Sequence, residues 1–227
     1  MNQRDNLKNC YMTMSILIVL LIVFIVEIAL GGSQNTAVLI KMGAMNNLAV
    51  VVGHQWWRLF TAQFLHMGIL HLVSNAVIIY YLGIYMEEIL GHWRFLLLYL
   101  LSGVGGNLLS LAWGSDQAIS AGASTALFGL FGAMTAIALN NRSNQLITYL
   151  GRQSFWLALI NIGFDLFDPN IDIQGHLGGF IAGFLLAIVM GNLAMGRYRN
   201  KTRFVAACLL VVYSVFTVRL GMIIDLS

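Results

Sequence analysis

The sequence predicts an all-α fold, a polytopic transmembrane helical bundle of about seven spans. Three observations predict it. Apolar residues make up 59% of the chain and Asp, Glu, Lys and Arg only 9%, against about 25% charged residues in an ordinary soluble domain. Apolar runs almost free of charge recur at lengths near the ~20 residues a helix needs to cross a bilayer. Lys and Arg fall in the short stretches between those runs, mostly in every second one, as the positive-inside rule requires of a chain that weaves through a membrane. Spans of this number use up most of 227 residues, so a single membrane domain is expected.

The spans follow in order. Residues 11–26, continuing past Glu27 to Leu30, form the first; 59–86, 95–115, 117–141 and 173–196 are also long enough to cross. Two stretches are shorter. Residues 153–164 reach crossing length when Arg152 snorkels to the interface and the helix begins near Leu146. Residues 204–218 end beside Arg219. The organisation is thus a cytoplasmic N-terminal segment (1–10), a six-helix core (11–196), and a basic loop with an additional helix (197–227). The first run has a second reading, because 15–26 with basic residues ahead and Ala29-Leu30-Gly31 behind resembles a signal peptide. Its length and the acidic Asp5 in its flank favour a retained anchor. Segment 33–58 mixes Val38-Leu39-Ile40, Val50-Val51-Val52 and Trp56-Trp57 with polar residues, which suits a partly embedded interfacial element. Trp56, Trp57 and Trp113 read as aromatic-belt anchors.

With the N-terminus inside, Arg4, Lys8, Arg94, Arg142, Arg152, Arg197, Arg199, Lys201 and Arg203 lie on the cytoplasmic side, and only Lys41, Arg58 and Arg219 lie outside. The net charge of +3 therefore reflects topology and an anionic inner leaflet. The sequence carries no nucleic-acid module, and no cofactor loop is implied. The outer side collects Asp116, Asp165, Asp168, Asp172 and Asp225, read as solvated loop residues. Cys10 and Cys208 both fall toward the cytoplasmic side and are expected to be free thiols.

Three polar clusters interrupt the apolar runs: Ser124 in Gly122-Ala123-Ser124-Thr125, His176 in Gly175-His176-Leu177-Gly178-Gly179, and His71 with Asn75. Strongly polar groups inside a membrane mark functional sites by default. Each lies near the start of a span that enters from the outside, so all share one depth, on the order of 5–15 Å below the outer surface at ~1.5 Å per residue. His71 and Asn75, four residues apart, project from one helix face, and on the same helix His66 would point away. Ser124 opens a helix. Gly129 and Gly132 after Ser124, and Gly179 and Gly183 after His176, let spans four and six pack closely. Each cluster alone has a plain structural explanation: a packed serine, an interhelical bond from His71 and Asn75, a proton-relay or metal-bound His176. No cysteine or paired carboxylate completes a metal set with the histidines. Their common depth instead points to acyl transfer inside the membrane.

Taken together, residues 43–183 resemble the rhomboid intramembrane serine proteases. The resemblance rests on Gly43-Ala44, Trp57-Arg58, His66, His71 through Asn75, Tyr81-Leu82-Gly83, Glu87 ahead of Gly91, Gly122-Ala123-Ser124, and His176 with Gly179 and Gly183. The span after 197–203 resembles the added helix of seven-span members. The resemblance implies a serine endopeptidase of the cell membrane, by implication a bacterial plasma membrane, that cuts single-span proteins near its outer face. It makes Ser124 the nucleophile and His176 the base of a dyad, with His71, Asn75 and the Ser124 N–H as oxyanion donors. Gly122, Phe128, Gly179, Gly183 and Arg58 have supporting roles, with Arg58 on lipid phosphate or on backbone carbonyls of the outer segment. Phe128 stands where members often have Tyr, and its ring is expected against the imidazole. Asp172, four residues before His176, is the candidate for any third residue. Thr125 departs from the usual glycine and adds bulk beside the nucleophile, toward the substrate or span six. The implied partners are transmembrane protein substrates and the bilayer. The alternative is a rhomboid-like protein that binds or sorts transmembrane clients without cutting them. A transporter would need a polar path to the inner side.

Overall fold

A computed structural model describes residues 10–168, 171–191 and 197–223. Arg4, Lys8 and Asp225 lie outside them. The described residues form ten α-helices and one 3-10 turn: α1 (Tyr11–Ala29), α2 (Thr36–Met42), α3 (Asn47–Val51), α4 (Arg58–Thr61), the 3-10 turn Ala62–Phe64, α5 (Ile69–Leu90), α6 (His92–Trp113), α7 (Ser124–Asn140), α8 (Gln145–Asp165), α9 (Ile173–Met190) and α10 (Asn200–Gly221). Helices α1, α5, α6, α9 and α10 are long and apolar enough to cross a membrane. The chain is a multi-pass membrane protein. Helix α7 is apolar but has 17 residues. Helix α8 has 21 residues and carries Arg152, Gln153 and Asn161, so it meets the span in length more than in apolarity.

Two spans begin later than the apolar runs suggest. The second starts at Ile69 rather than at residue 59, because Gly68, at φ +91°, breaks the helical path after the 3-10 turn. The fourth starts at Ser124 rather than at 117, because 117–123 runs as irregular chain pinned by mutual backbone hydrogen bonds between Met45 and Ser120. Both differences bring a polar cluster to the very start of its helix.

Helix α7 is the axis of the bundle. Every residue from Thr125 to Met134 is buried, as expected of a helix that is apolar on all sides. It packs against α9 backbone to backbone. A Cβ on Gly179 would collide with the Thr125 carbonyl, one on Gly183 with the Gly129 carbonyl, and one on Gly132 with the Phe180 carbonyl. Glycine is the only residue these crossings admit, and the expected tight packing of spans four and six follows from it.

Buried carboxylates fasten α1 at both ends. Near one end Glu87, 1% exposed, accepts from the Met12 and Thr13 N–H groups, from the Thr13 hydroxyl and from His92 Nδ1. Two of these four donors are N–H groups of the first turn of α1, which have no partners within the helix. At the other end Glu27, fully buried, accepts from the His66 N–H at 2.9 Å.

The segment between α1 and α5 folds around Arg58. Its Nη1 donates to the carbonyls of Ile40 and Ala44, both at 2.8 Å, and its Nε to Gln55 Oε1 at 2.7 Å. Of the two partners expected for it, Arg58 takes the carbonyls. Burial lowers its pKa from the ordinary guanidinium value. Trp57, half exposed, lies under the guanidinium at 4.9 Å from ring centroid to Cζ.

Replacing Gly183 by Val should destabilise the protein by about 1–3 kcal/mol, the cost of overpacking a tight contact. Gly163→Ala, where a Cβ meets nothing within 4 Å, should leave the unfolding temperature unchanged. Thermal unfolding of both purified variants in detergent checks the contrast.

Candidate active site

The starts of α5, α7 and α9 and the end of α8 meet at one end of the bundle. His71 is the third residue of α5, Ser124 the first of α7 and His176 the fourth of α9. All three, with Asn75, line one cavity of about 460 Å³. The four residues singled out in the sequence are brought together.

Each side chain has a definite setting. His176 is 8% exposed and stacked face to face on Phe128, with centroids 4.2 Å apart and planes at 7°. One face of the imidazole is thereby covered by an apolar ring. Gly122 lies against His71 and Ser124: a Cβ there would stand 2.7 Å from His71 Cε1, 3.0 Å from its Nε2 and 3.4 Å from Ser124 Oγ. Any side chain at 122 would occupy the space between imidazole and hydroxyl. Asn75 is 6% exposed, and its Nδ2 has no hydrogen-bond partner among the described residues. Leaving a buried amide donor unpaired costs about 1–3 kcal/mol, so folding alone gives no reason to keep it.

Two readings of the sequence require correction. His66 does not point away. Because Gly68 ends the path before α5, His66 lies off that helix and the helical spacing argument does not govern it. Its ring meets His71 edge-on, with centroids 5.3 Å apart, and its Nε2 accepts from the Ala123 N–H at 3.4 Å. It braces both an imidazole of the cavity and the residue before Ser124. The cue was present in the sequence, in the glycine between the two histidines.

The second correction concerns the outer aspartates. Asp165 is not solvated: it is 5% exposed and its Oδ2 lies 2.6 Å from His176 Nδ1. Asp172, the third-residue candidate, is engaged elsewhere. It caps α9, accepting from the Gly175 N–H with Oδ1 at 2.7 Å and from the Ser110 hydroxyl with Oδ2. A carboxylate at the N-cap position folds back onto the first turn of its own helix, which takes it off the imidazole. Asp165 belongs to the preceding helix, and no local spacing reveals it.

Thr125 turns out of the cavity. Cβ atoms on Gly106 and Gly175 would each come 2.9 Å from its side chain, so two glycines on α6 and α9 accommodate its bulk. Thr125 is not among the residues that line the cavity.

A family model, the Rhomboid domain, matches residues 53–193, more than half of the chain. The chain belongs to the rhomboid family. It is 38% identical to the protein named Rhomboid protease GluP of Bacillus subtilis, over 93% of this chain and 40% of that protein. It is 42% identical to RHOMBOID-like protein 1 of Arabidopsis thaliana over 70% of this chain and 40% of that one. Identity to Rhomboid-like protease 3 of Toxoplasma gondii is 39%, over 73% of this chain and 64% of the relative. The chain spans about 40% of the length of the first two relatives. Rhomboid membership fits the site: the match takes in His71, Asn75, Ser124 and His176.

Thr125 Oγ1 is buried without a partner among the described residues. Thr125→Val is therefore expected to raise stability by about 1 kcal/mol and to leave the reactivity of Ser124 toward a serine-directed phosphonate unchanged. Slower labelling would place this side chain in the path of the substrate.

Proposed function

We propose that this chain is an intramembrane serine endopeptidase that cuts single-span membrane proteins near the outer face of the membrane. The observation that carries the reading is the unpaired Asn75 Nδ2 in the cavity that also holds Ser124, His71 and His176. A donor buried in the cavity without a partner among the described residues suits a group that is negative only during reaction.

The chemistry follows from the residues. Ser124 Oγ attacks the scissile carbonyl carbon as His176 takes its proton. The carbonyl oxygen becomes an oxyanion, which the Asn75 amide, His71 and the Ser124 N–H stabilise. Collapse breaks the C–N bond, and His176 returns the proton to the leaving amine. Water, deprotonated by the same imidazole, then hydrolyses the Ser124 ester. Phe128 keeps the ring in place through both steps. An intact helix hides its carbonyls in hydrogen bonds to the N–H groups four residues on, so the substrate must unwind locally. Small and helix-breaking residues near the cut favour that.

The Lys and Arg distribution supports an N-terminus in the cytoplasm and a site toward the outside. The Bacillus relative, a named rhomboid protease, supports a bacterial plasma membrane. Transmembrane proteins are the proposed partners, delivered through the bilayer.

Purified protein in liposomes with a model single-span substrate tests the proposal. Ser124→Ala and His176→Ala should abolish cleavage, and cleavage that survives Ser124→Ala rules the mechanism out. Asn75→Ala should lower kcat by about 10²–10³ without lowering the unfolding temperature, because the amide it removes has no described partner to lose.

A further inference from the structure

Asp165 is placed where electrostatics alone would not put an acid. It is the last residue of α8, where the helix dipole presents its negative end and disfavours another negative charge. It is also 5% exposed, and withdrawing a carboxylate from water costs several kcal/mol unless it is paired and hydrogen-bonded. Its described side-chain partner is His176 Nδ1 at 2.6 Å, a distance typical of a charge-assisted bond.

We propose that Asp165 positions His176, so that the site works as a Ser-His-Asp set assembled from α7, α9 and α8 rather than as a dyad. The inference rests on the reading of Ser124 and His176 given above. A carboxylate only accepts. Its bond to Nδ1 therefore fixes the proton on that nitrogen and leaves Nε2 with the lone pair that a general base requires. Stacking on Phe128 fixes the plane of the ring, and Asp165 fixes its rotation within that plane. Once His176 has taken the proton of Ser124, the negative charge beside Nδ1 stabilises the imidazolium. Asp165 transfers no proton of its own. Asp172 does not share this role: it caps α9 and meets Ser110.

Steady-state cleavage of the same model substrate by Asp165→Asn, with Asp172→Asn as comparison and Ser124→Ala as blank, tests the inference. Asparagine keeps the shape but offers N–H donors to Nδ1 and so favours the wrong tautomer. Asp165→Asn should lower kcat by about 10²–10⁴ with KM held within about twofold, and the rate of phosphonate labelling of Ser124 per folded molecule should fall in parallel. Asp165→Glu, which restores a carboxylate, should recover part of kcat. A kcat for Asp165→Asn near the parent value, in a protein silenced by Ser124→Ala and His176→Ala, overturns the role of Asp165 and leaves the protease reading standing. A loss confined to KM, or one matched by loss of folded protein, also overturns it. Cleavage unaffected by Ser124→Ala defeats the protease reading itself.

Discussion

The backbone contact between α7 and α9 is the constraint on which the rest of the structure depends. Ser124 and His176 belong to different helices, and short side chains on different helices meet only if the helices come closer than ordinary residues permit. Gly129 and Gly132 on one side, Gly179 and Gly183 on the other, leave carbonyl against Cα at successive turns. In a membrane, where lipid competes with side chains for apolar contact, such packing supplies much of the association energy. The contact that stabilises the bundle also sets the spacing of the candidate nucleophile and base. Stability and site geometry are coupled at these glycines, and changes there affect both.

Polar groups divide into those that hold the fold and those that fold alone does not require. Glu87 collects four donors, Arg58 donates to three acceptors and Glu27 takes a backbone N–H. Glu87 and Glu27 tie together segments far apart in sequence, Arg58 closes the segment between α1 and α5 on itself, and the hydrogen bonds of Glu87 and Arg58 offset much of their desolvation. Asn75 does the reverse. Its Nδ2, without a partner among the described residues, weakens the fold by the cost of one unpaired donor, a deficit that a developing oxyanion would remove. Asp165, at the wrong end of a helix for its charge, belongs with Asn75.

Periodicity and charge made the bundle legible in the sequence, since a span needs only length, apolar content and flanking charge. They also made Ser124, His176, His71 and Asn75 legible, because each is a polar interruption near the start of an apolar run. The expected convergence needed nothing beyond counting residues from the outer interface. Two misreadings share one cause, helical logic carried past the end of a helix. Helical spacing puts His66 on a face of α5, although Gly68 separates it from that helix. The i and i+4 spacing pairs Asp172 with His176, although a residue at the N-cap turns its side chain to its own first turn. Of the two directions expected for Thr125, the structure shows the one toward span six, where Gly175 of α9 and Gly106 of α6 receive its side chain. Asp165 reads as a solvated loop residue because nothing local in the sequence distinguishes it. Partnerships between helices are fixed by tertiary packing, and a single sequence gives no register for that.

Helix α9 shows why the imidazole is held firmly enough to be oriented by one carboxylate. Its Gly179 and Gly183 edge is closed against α7. Its Gly178 edge is closed against Leu109 of α6 and against Tyr213 of the last helix, α10. The Tyr213 hydroxyl donates to the Gly105 carbonyl at 2.7 Å, so α10 clasps the α6 side of that contact, and Arg203 donates to the Val189 carbonyl farther along α9. With those faces occupied by backbone and short side chains, α9 has little freedom to rotate or slide. The residual freedom of His176 lies in its own side-chain torsions. Phe128 and Asp165 each restrict one component of that motion, the tilt of the ring and its rotation, so that a rigid helix and two contacts define where the imidazole stands.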